Sequence, residues 1–387
     1  MNTKQLDSDY IVHTYGRADV VFTKGKGSEL YDETGKRYID LGAGIAVNTL
    51  GIGDTEWLAA VTKQAGTLAH ISNLYYTQPC AQLAELLCTR TGMKKVFFGN
   101  SGAEANEGAI KAARKYAHDK YGDTRSTIVT LHNSFHGRTI ATLAATGQDT
   151  FHTHFGPFPE GFAYVPANDL PAMLAQLDAV PCAAVMMELI QGEGGVIALD
   201  PAYVRAVEAE CRKRDVLLVI DEVQTGNGRT GELYAYQIYG IHPDIVTTAK
   251  GLAGGLPLGV VMFNDRTENV LGRGQHGSTF GGNPVCCAGA LSVLSRIDDK
   301  LLSDVREKAA YIRTALEGTP HVQAVTGLGL MIGIETDKKA ADVVGECLKR
   351  GVVVLTAHDR VRLLPALNIP MNLLKEAVGI LKEVLAS

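Results

Sequence analysis

The chain reads as an α/β protein, with a large portion built on a mainly parallel sheet and a smaller α+β portion after it. Between about residues 95 and 263, apolar runs of strand length alternate with helical stretches. Those runs are apolar at nearly every position, the pattern of strands covered on both faces. After about residue 300, charged amphipathic stretches such as LSDVREKAAYIRTALEG alternate with short strands such as GLMIGIET and VVVLT.

Residues 1 to about 60 are Gly-rich with short alternations, and GSELYDETGKRYIDL reads as a hairpin turning at Glu33-Thr34-Gly35-Lys36. From about 60 to 95 the pattern becomes helical, and in AQLAELLCTRTG a glycine follows the last apolar positions as a stop signal. The central strands are VFFG, TIVTL, AAVMMELI, VLLVID, IVTTA and GVVMF, at least six in number. The chain closes on an outward-facing helix, NLLKEAVGILKEVLAS. The expected division is an N-terminal segment 1–60 packing with the small domain, a large domain 61–300 and a C-terminal small domain 301–387.

A length of 387 residues with 46% hydrophobic composition is ample for a large core. Lys plus Arg number 37 against 42 Asp plus Glu, a net charge of -5, and no basic stripe offers itself to a phosphodiester backbone, so nucleic acid is not an expected partner. The seven cysteines show no CxxC spacing and read as reduced core thiols. The start, MNTKQLDSDY, has no basic lead into an apolar segment, and no stretch approaches the length of a membrane span. The expectation is a cytoplasmic protein that does not enter a membrane.

Two charges stand out at the ends of apolar runs. Asp221 ends VLLVID and Lys250 follows IVTTA, and both open onto Gly-rich chain, where α/β enzymes hold cofactors. A lysine amine that can condense with an aldehyde and a carboxylate that can pair with a pyridinium nitrogen are what pyridoxal phosphate asks of a protein. Asp221 also fits a turn cap, and Lys250 a surface lysine before a loop. Magnesium binding by the Asp221-Glu222 pair lacks the GxxxxGK[ST] run that would supply its partner.

Asn100-Ser101-Gly102-Ala103 lies between a strand and an Ala-rich helix, so its small residues leave backbone N–H groups open to a phosphate. An ordinary N-cap fits the same residues. Arg138, after SFHG, and Arg362, in VRLLPAL, are candidate carboxylate clamps, with structural ion pairs as the alternative. Gly272, Gly274 and Gly277 satisfy GxGxxG only by letter, without strand-turn-helix context. His152 and His154 form an HxH pair with no third ligand nearby and read as a surface loop, so no metal site is expected.

With these residues in place, the chain resembles the class III, or ornithine-type, pyridoxal-phosphate aminotransferases of fold type I, and among them the bacterial acetylornithine branch. The resemblance runs through Tyr15-Gly16-Arg17, LYDETGKRYIDL, NSGAEANEGAIKAAR, FHGRT, QGEGG, DEVQTGNGRTG, AKGLAGGLPLG, GSTFGGNP and VRLLPALN. It implies a seven-stranded sheet in the large domain, pyridoxal 5'-phosphate as cofactor and a homodimer. It further implies that Lys250 holds the cofactor covalently, Asp221 pairs with its ring nitrogen and Gln224 bonds its phenolic oxygen. Ser101, Gly102 and Ala103 are expected at the phosphate, joined by Thr279 of the other subunit, while Phe135 and Glu188 complete the cofactor site. Tyr15, Arg138, Glu193, Ser278 and Arg362 are expected around the substrate, with Glu193 pairing with Arg362. Departures from the family pattern are Leu50-Gly51-Ile52-Gly53-Asp54-Thr55, where many relatives have His and Pro, and Leu189, where Pro is frequent.

The resemblance implies transamination between N²-acetyl-L-ornithine and 2-oxoglutarate, as in arginine biosynthesis. Succinylornithine, ornithine, 4-aminobutyrate or a lysine-derived ω-amine stand as alternative donors. A pyridoxal-phosphate-dependent aminomutase or decarboxylase, or a non-catalytic dimeric binding protein, are the readings from other classes.

Overall fold

The computed structural model describes residues 2–387. Strands β1 (Phe22–Lys26), β2 (Glu29–Asp32) and β3 (Arg37–Asp40) form an antiparallel meander. The turn between β2 and β3 is organised by Asp32, whose Oδ1 accepts from the backbone N–H groups of Thr34 (2.9 Å) and Lys36 (3.0 Å) and from the Thr34 hydroxyl (2.7 Å). Gly35 supplies the positive φ of 85° that such a turn needs.

The central sheet contains β4 (Lys95–Gly99), β5 (Thr127–Leu131), β6 (Phe162–Val165) and β7 (Cys182–Met187). A short ribbon of β8 (Ile190–Gln191) and β9 (Ile197–Ala198) interrupts it in sequence, after which β10 (Leu217–Asp221), β11 (Ile245–Thr248) and β12 (Gly259–Phe263) rejoin it. The order across these seven strands is β4-β12-β11-β10-β7-β5-β6. Every pairing is parallel except those of β12, which runs against both β4 and β11.

Alternation of side chains explains why the strands are apolar throughout. Leu218 and Ile220 of β10 enter one hydrophobic cluster, while Leu217 and Val219 enter another on the opposite face. The second cluster is closed by the helix Gly102–Tyr121, whose Ala105, Ala109, Ala112 and Ala113 are small enough to bring its backbone close to the sheet. Ser101 caps this helix through a hydrogen bond from the Glu104 N–H to its Oγ at 3.1 Å.

Beyond residue 320, β13 (Val322–Leu328), β14 (Met331–Thr336), β16 (Leu355–Ala357) and β17 (Arg360–Leu363) make an antiparallel sheet in the order β13-β14-β17-β16. The remaining strand, β15 (Val352–Val353), instead pairs in parallel with β3. Ile39 and Leu41 therefore share a hydrophobic cluster with Ile312, Ile332, Val361 and Leu381, joining the first strands of the chain to its last helices.

The arrangement brings several loops to one edge of the large sheet. The segments following β4, β5, β7, β10 and β11 all leave from carboxyl ends that point the same way, the edge where open α/β sheets bind ligands. Approach there is close: a Cβ on Gly259, at the start of β12, would lie 2.0 Å from the Ser101 carbonyl oxygen. Only glycine fits at that position.

Candidate active site

At that edge lies a cavity of about 250 Å³ lined by Gly102, Ala103, Asn106, Phe135, His136, Gly137, Arg138, Glu188, Asp221, Val223, Gln224 and Lys250. Asp221 ends β10 and is buried. Its Oδ2 accepts from Asn106 Nδ2 at 2.7 Å and from His136 Nδ1 at 2.8 Å, and its Oδ1 accepts from the Val223 N–H at 3.0 Å. Asn106 is itself held, donating to the His136 carbonyl oxygen (2.7 Å) and accepting from Thr247 Oγ1 (2.7 Å). The carboxylate is thus oriented from the Ala-rich helix, the loop after β5 and the strand beside its own.

A carboxylate only accepts, so the bond to Asp221 fixes the hydrogen of His136 on Nδ1 and leaves the buried Nε2 without a partner. Burial disfavours a charged His136, yet its hydrogen bond to Asp221 and the charges of Asp221 and Glu188 together outweigh burial and hold the imidazole above its ordinary pKa. Glu188 follows β7, and its carboxylate accepts from the N–H groups of Phe135 (2.9 Å) and Gly192 (3.3 Å). Burial pushes this carboxyl up to about 7, against the opposing attraction of His136.

Lys250 stands two residues beyond β11 with a φ of 44°, a left-handed conformation that costs an ordinary residue about 1–2 kcal/mol. The strain is confined by neighbours. Asn227 Nδ2 donates to the Ala249 carbonyl oxygen (3.1 Å), and Thr49 Oγ1 donates to that of Gly251 (2.7 Å). Burial lowers the pKa of the Lys250 amine, although Glu193, Asp221 and Glu188 all pull it back up. A lysine so placed is a better nucleophile and base near neutrality than one in water.

Gln224 connects the cavity to an ion pair. Its Nε2 donates to Glu193 Oε1 at 3.3 Å, and its Oε1 accepts from Arg362 Nη1 at 3.3 Å. Arg362, on β17 and buried, forks onto both oxygens of Glu193 at 2.6 and 3.3 Å. Burial works against the charge of Glu193, but Arg362 more than offsets it and the carboxyl lies below its ordinary pKa. Arg362 Nε remains unpaired, a donor left over from the fork. Arg138 is exposed and lies over aromatic faces, with its guanidinium carbon 4.0 Å from the Phe151 ring centre and 5.6 Å from that of Phe135.

Of the residues singled out from sequence, Gly102, Ala103, Phe135, Arg138, Glu188, Asp221, Gln224 and Lys250 line one cavity, and Glu193 and Arg362 join it through Gln224. Four others do not line it within the single chain. Ser101 caps the adjoining helix, and Ser278 Oγ accepts from Asn100 Nδ2 (3.0 Å) and the Gly281 N–H (3.0 Å). Thr279 is exposed beside it, and Tyr15 is 74% exposed with Arg17 over its ring. Asn106, His136, Gly137 and Val223 escaped the sequence reading. All four lie inside the quoted motifs NSGAEANEGA, FHGRT and DEVQTG, and that adjacency is the one signal that pointed to them.

The donor set fits pyridoxal phosphate. A desolvated amine, a carboxylate held by the Asn106 and His136 donors, an aromatic wall and the N-terminus of a 20-residue helix surround one space. The helix start is also tight where it meets the cavity loop, since a Cβ on Gly102 would lie 2.6 Å from Val223 Cγ1. Among the described residues, no group of three or more His, Cys, Asp or Glu side chains could hold a metal ion.

A model of the family described as aminotransferase class-III matches residues 10–385. The acetylornithine aminotransferase of Haemophilus ducreyi is 53% identical over 385 residues, covering 99% of this chain and 98% of its own. The crystal structure of N-acetylornithine aminotransferase from Stenotrophomonas maltophilia superimposes with a TM-score of 0.85 at 34% identity, covering 99% of this chain and 98% of that one. The ornithine aminotransferase of Toxoplasma gondii, whose structure carries partial occupancy of pyridoxal phosphate at its active site, gives a TM-score of 0.93 at 32% identity over 99% and 93% of the two chains.

Proposed function

Because the chain belongs to the class III aminotransferases, we propose that it transfers the ω-amino group of N²-acetyl-L-ornithine to 2-oxoglutarate, yielding N-acetyl-L-glutamate 5-semialdehyde and L-glutamate, as arginine biosynthesis requires. The protein is a pyridoxal-phosphate-dependent aminotransferase. The observation that carries the reading is the line of groups from Asp221 and Lys250 through Gln224 to the Glu193–Arg362 pair. It puts a reactive amine at one end and a switchable cation at the other.

Lys250, Asp221, Gln224, Glu188 and Phe135 would hold the cofactor, with Ser101, Gly102 and Ala103 at its phosphate. When bound, pyridoxal phosphate supplies an aldehyde to take up the amino group and a ring to accept electrons. Asp221, oriented by the Asn106 and His136 donors, would favour a positive charge on the cofactor's ring nitrogen. Lys250 Nζ would take the proton from the amine-bearing carbon of the donor and pass it to the cofactor rather than back to that carbon, a role eased by its lowered pKa.

Glu193 and Arg362 would divide the two substrates. Paired with Glu193, Arg362 offers little net charge, so a donor chain without a carboxylate at that point is accepted. Released from Glu193, the same guanidinium binds the α-carboxylate of glutamate or 2-oxoglutarate, and Arg138 at the mouth takes a second carboxylate. Tyr15 and Ser278 would line the substrate entrance.

We further propose a homodimer in which Thr279 reaches the partner's phosphate site. Leu74 (84%), Tyr75 (65%) and Phe280 (59%) are exposed, and Asn73, just before the first two, donates to the Ser278 and Gly281 carbonyl oxygens on either side of Thr279, so large apolar side chains suited to an interface lie close to that segment. The division at about residues 60 and 300 is proposed on the same footing, as is a cytoplasmic location. No helix among the described residues is long and apolar enough to cross a membrane.

The deciding measurement is kcat/KM of the cofactor-loaded protein with 2-oxoglutarate and each of N²-acetylornithine, N²-succinylornithine, ornithine and 4-aminobutyrate. The highest value is expected for N²-acetylornithine, and a different leading donor would overturn the assignment. Sedimentation giving the 41.3 kDa of a single chain would overturn the dimer.

A further inference from the structure

The two candidate carboxylate clamps are held in different ways. Arg362 forks onto Glu193, whereas the Arg138 guanidinium forms no ion pair among the described residues and rests on aromatic rings. Its carbon lies 4.0 Å from the ring centre of Phe151, a side chain outside the cavity lining and unused by the chemistry above. Phe151 in turn meets Phe135, the aromatic wall of the cavity, edge to face, with 6.0 Å between ring centres and 76° between planes. Phe135, Phe151 and Arg138 therefore form one contiguous group from the cavity wall to its mouth.

The backbone under Phe151 is tied down. The residue ends the short turn Asp149–Phe151, and its N–H donates to the Gln148 carbonyl oxygen at 3.0 Å. This turn is laced to the loop that carries Phe135 and His136: Gln148 Nε2 donates to the Ser134 carbonyl oxygen (2.9 Å), the Gly147 N–H to Ser134 Oγ (3.0 Å) and the Asn133 N–H to the Gly147 carbonyl oxygen (2.7 Å). The approach leaves no slack, since a Cβ on Gly147 would lie 2.1 Å from the Leu131 carbonyl oxygen. On the other side of Phe151, His152 Nε2 donates to the Leu143 carbonyl oxygen at 3.0 Å. Phe151 is thus a fixed platform, and the long, exposed side chain of Arg138 is the partner that lacks any other support.

We propose that Phe151 is a positioning residue that holds Arg138 ready for the carboxylate remote from the keto carbon, and so strengthens the preference for a dicarboxylic keto acid over one with a single carboxylate. The inference rests on the reading of Arg138 as the second carboxylate clamp. All the N–H donors of a guanidinium lie in its plane, so an aromatic ring against one face leaves the donor edge free for a planar carboxylate. An acidic partner would order the arginine too, but it would occupy those donors and offset the charge, as Glu193 does for Arg362. The aromatic platform orders the cation and leaves both its donors and its charge to the substrate.

The test compares cofactor-loaded wild type, Phe151→Tyr, Phe151→Leu, Arg138→Ala and the protein carrying both Phe151→Leu and Arg138→Ala. With saturating N²-acetylornithine, kcat/KM is measured for 2-oxoglutarate and for 2-oxopentanoate, a keto acid of the same length without the second carboxylate, and their ratio is the readout. Phe151→Leu keeps apolar bulk and loses the aromatic face, so the ratio should fall about fivefold through the KM for 2-oxoglutarate, the scale of one exposed cation–aromatic contact, with kcat within about twofold. Phe151→Tyr keeps the face and should keep the ratio. Beside Arg138→Ala, the leucine should change nothing further, because the ring then has no cation to hold. An unchanged ratio in Phe151→Leu would overturn the proposal, as would an equal loss for both keto acids or a full additional effect beside Arg138→Ala. If Phe151→Leu does not fold, Phe151→Met is read against the same outcomes. An Arg138→Ala protein with a wild-type ratio would remove the clamp itself, whereas an affected Arg138→Ala beside an unaffected Phe151→Leu removes only the role of Phe151.

Discussion

Asp221 and Glu222 are adjacent in sequence and turn their carboxylates to opposite sides of one strand end. Asp221 lines the cavity and receives Asn106 and His136, whereas Glu222 is sealed in the core, accepting from the Tyr236 N–H (2.8 Å) and from Thr225 Oγ1 (2.5 Å). Neighbouring positions at a strand end face opposite ways, so two like residues acquire different work. One faces the cavity and the other is a buried acid.

Replacing Asp221 by Asn keeps its size but removes the carboxylate opposite His136 and, in the proposed role, the counter-charge of the cofactor ring. The expected outcome is a fall in kcat of about 10³, the scale of losing one preorganised electrostatic partner, with the fold retained. Pre-steady-state turnover of the amine half-reaction measures it, and circular dichroism checks the fold. A variant with near wild-type kcat would remove Asp221 from the proposed role.

Lys250→Ala eliminates the only amine that lines the cavity among the described residues. Turnover should fall by at least about 10⁴, since the loss combines attachment with acid–base work. Borohydride treatment followed by mass measurement should show cofactor fixed to wild type and none fixed to the variant. Cofactor fixed at another lysine would displace Lys250 from its assignment.

Glu193→Gln removes the counter-charge of Arg362, whose guanidinium contacts both carboxylate oxygens. An uncompensated cation then greets the donor. The KM for N²-acetylornithine should rise by about tenfold while that for 2-oxoglutarate stays level or falls, because a buried charge pair broken on one side favours any incoming anion. Equal changes for both substrates would argue against a switching pair.

The large sheet was legible because strands buried on both faces are apolar at every position, and the place of the candidate site was legible where those runs stop at a charge, as at Asp221 and Lys250. Asn106 and His136 carried no such mark. One is on a helix turn and the other in a loop, and they meet Asp221 only after β4, β5 and β10 have been assembled. The reversed direction of β12 was equally hidden, since strand polarity leaves no trace in an apolar run such as GVVMF. Phe151 lies beside the HxH pair of a segment that reads as a surface loop, and nothing in its spacing says that its ring meets Arg138. Tyr15, Ser278 and Thr279 belong to exposed segments, where a single chain provides no wall for them to line.

The pH dependence of stability follows from Glu222. Burial raises its carboxyl from 4.5 to about 7, with the Thr225 and backbone hydrogen bonds opposing the shift. In the folded protein it therefore holds a proton that the unfolded chain releases near 4.5. Between roughly pH 4.5 and 7 the folded state binds more protons, so the contribution of this acid is fully present below that window and is lost as pH rises through about 7. A shift of this size corresponds to something on the order of 3 kcal/mol across the window. Glu222→Gln stands in for the protonated acid and cannot titrate, so urea unfolding should find it close to wild type at pH 5 and more stable than wild type at pH 8. Because Glu188 and His136 titrate in both proteins, their effects cancel in the difference. A stability gap equal at the two pH values would show that Glu222 is ionised in the fold throughout, and that its two hydrogen bonds, rather than its burial, decide its charge.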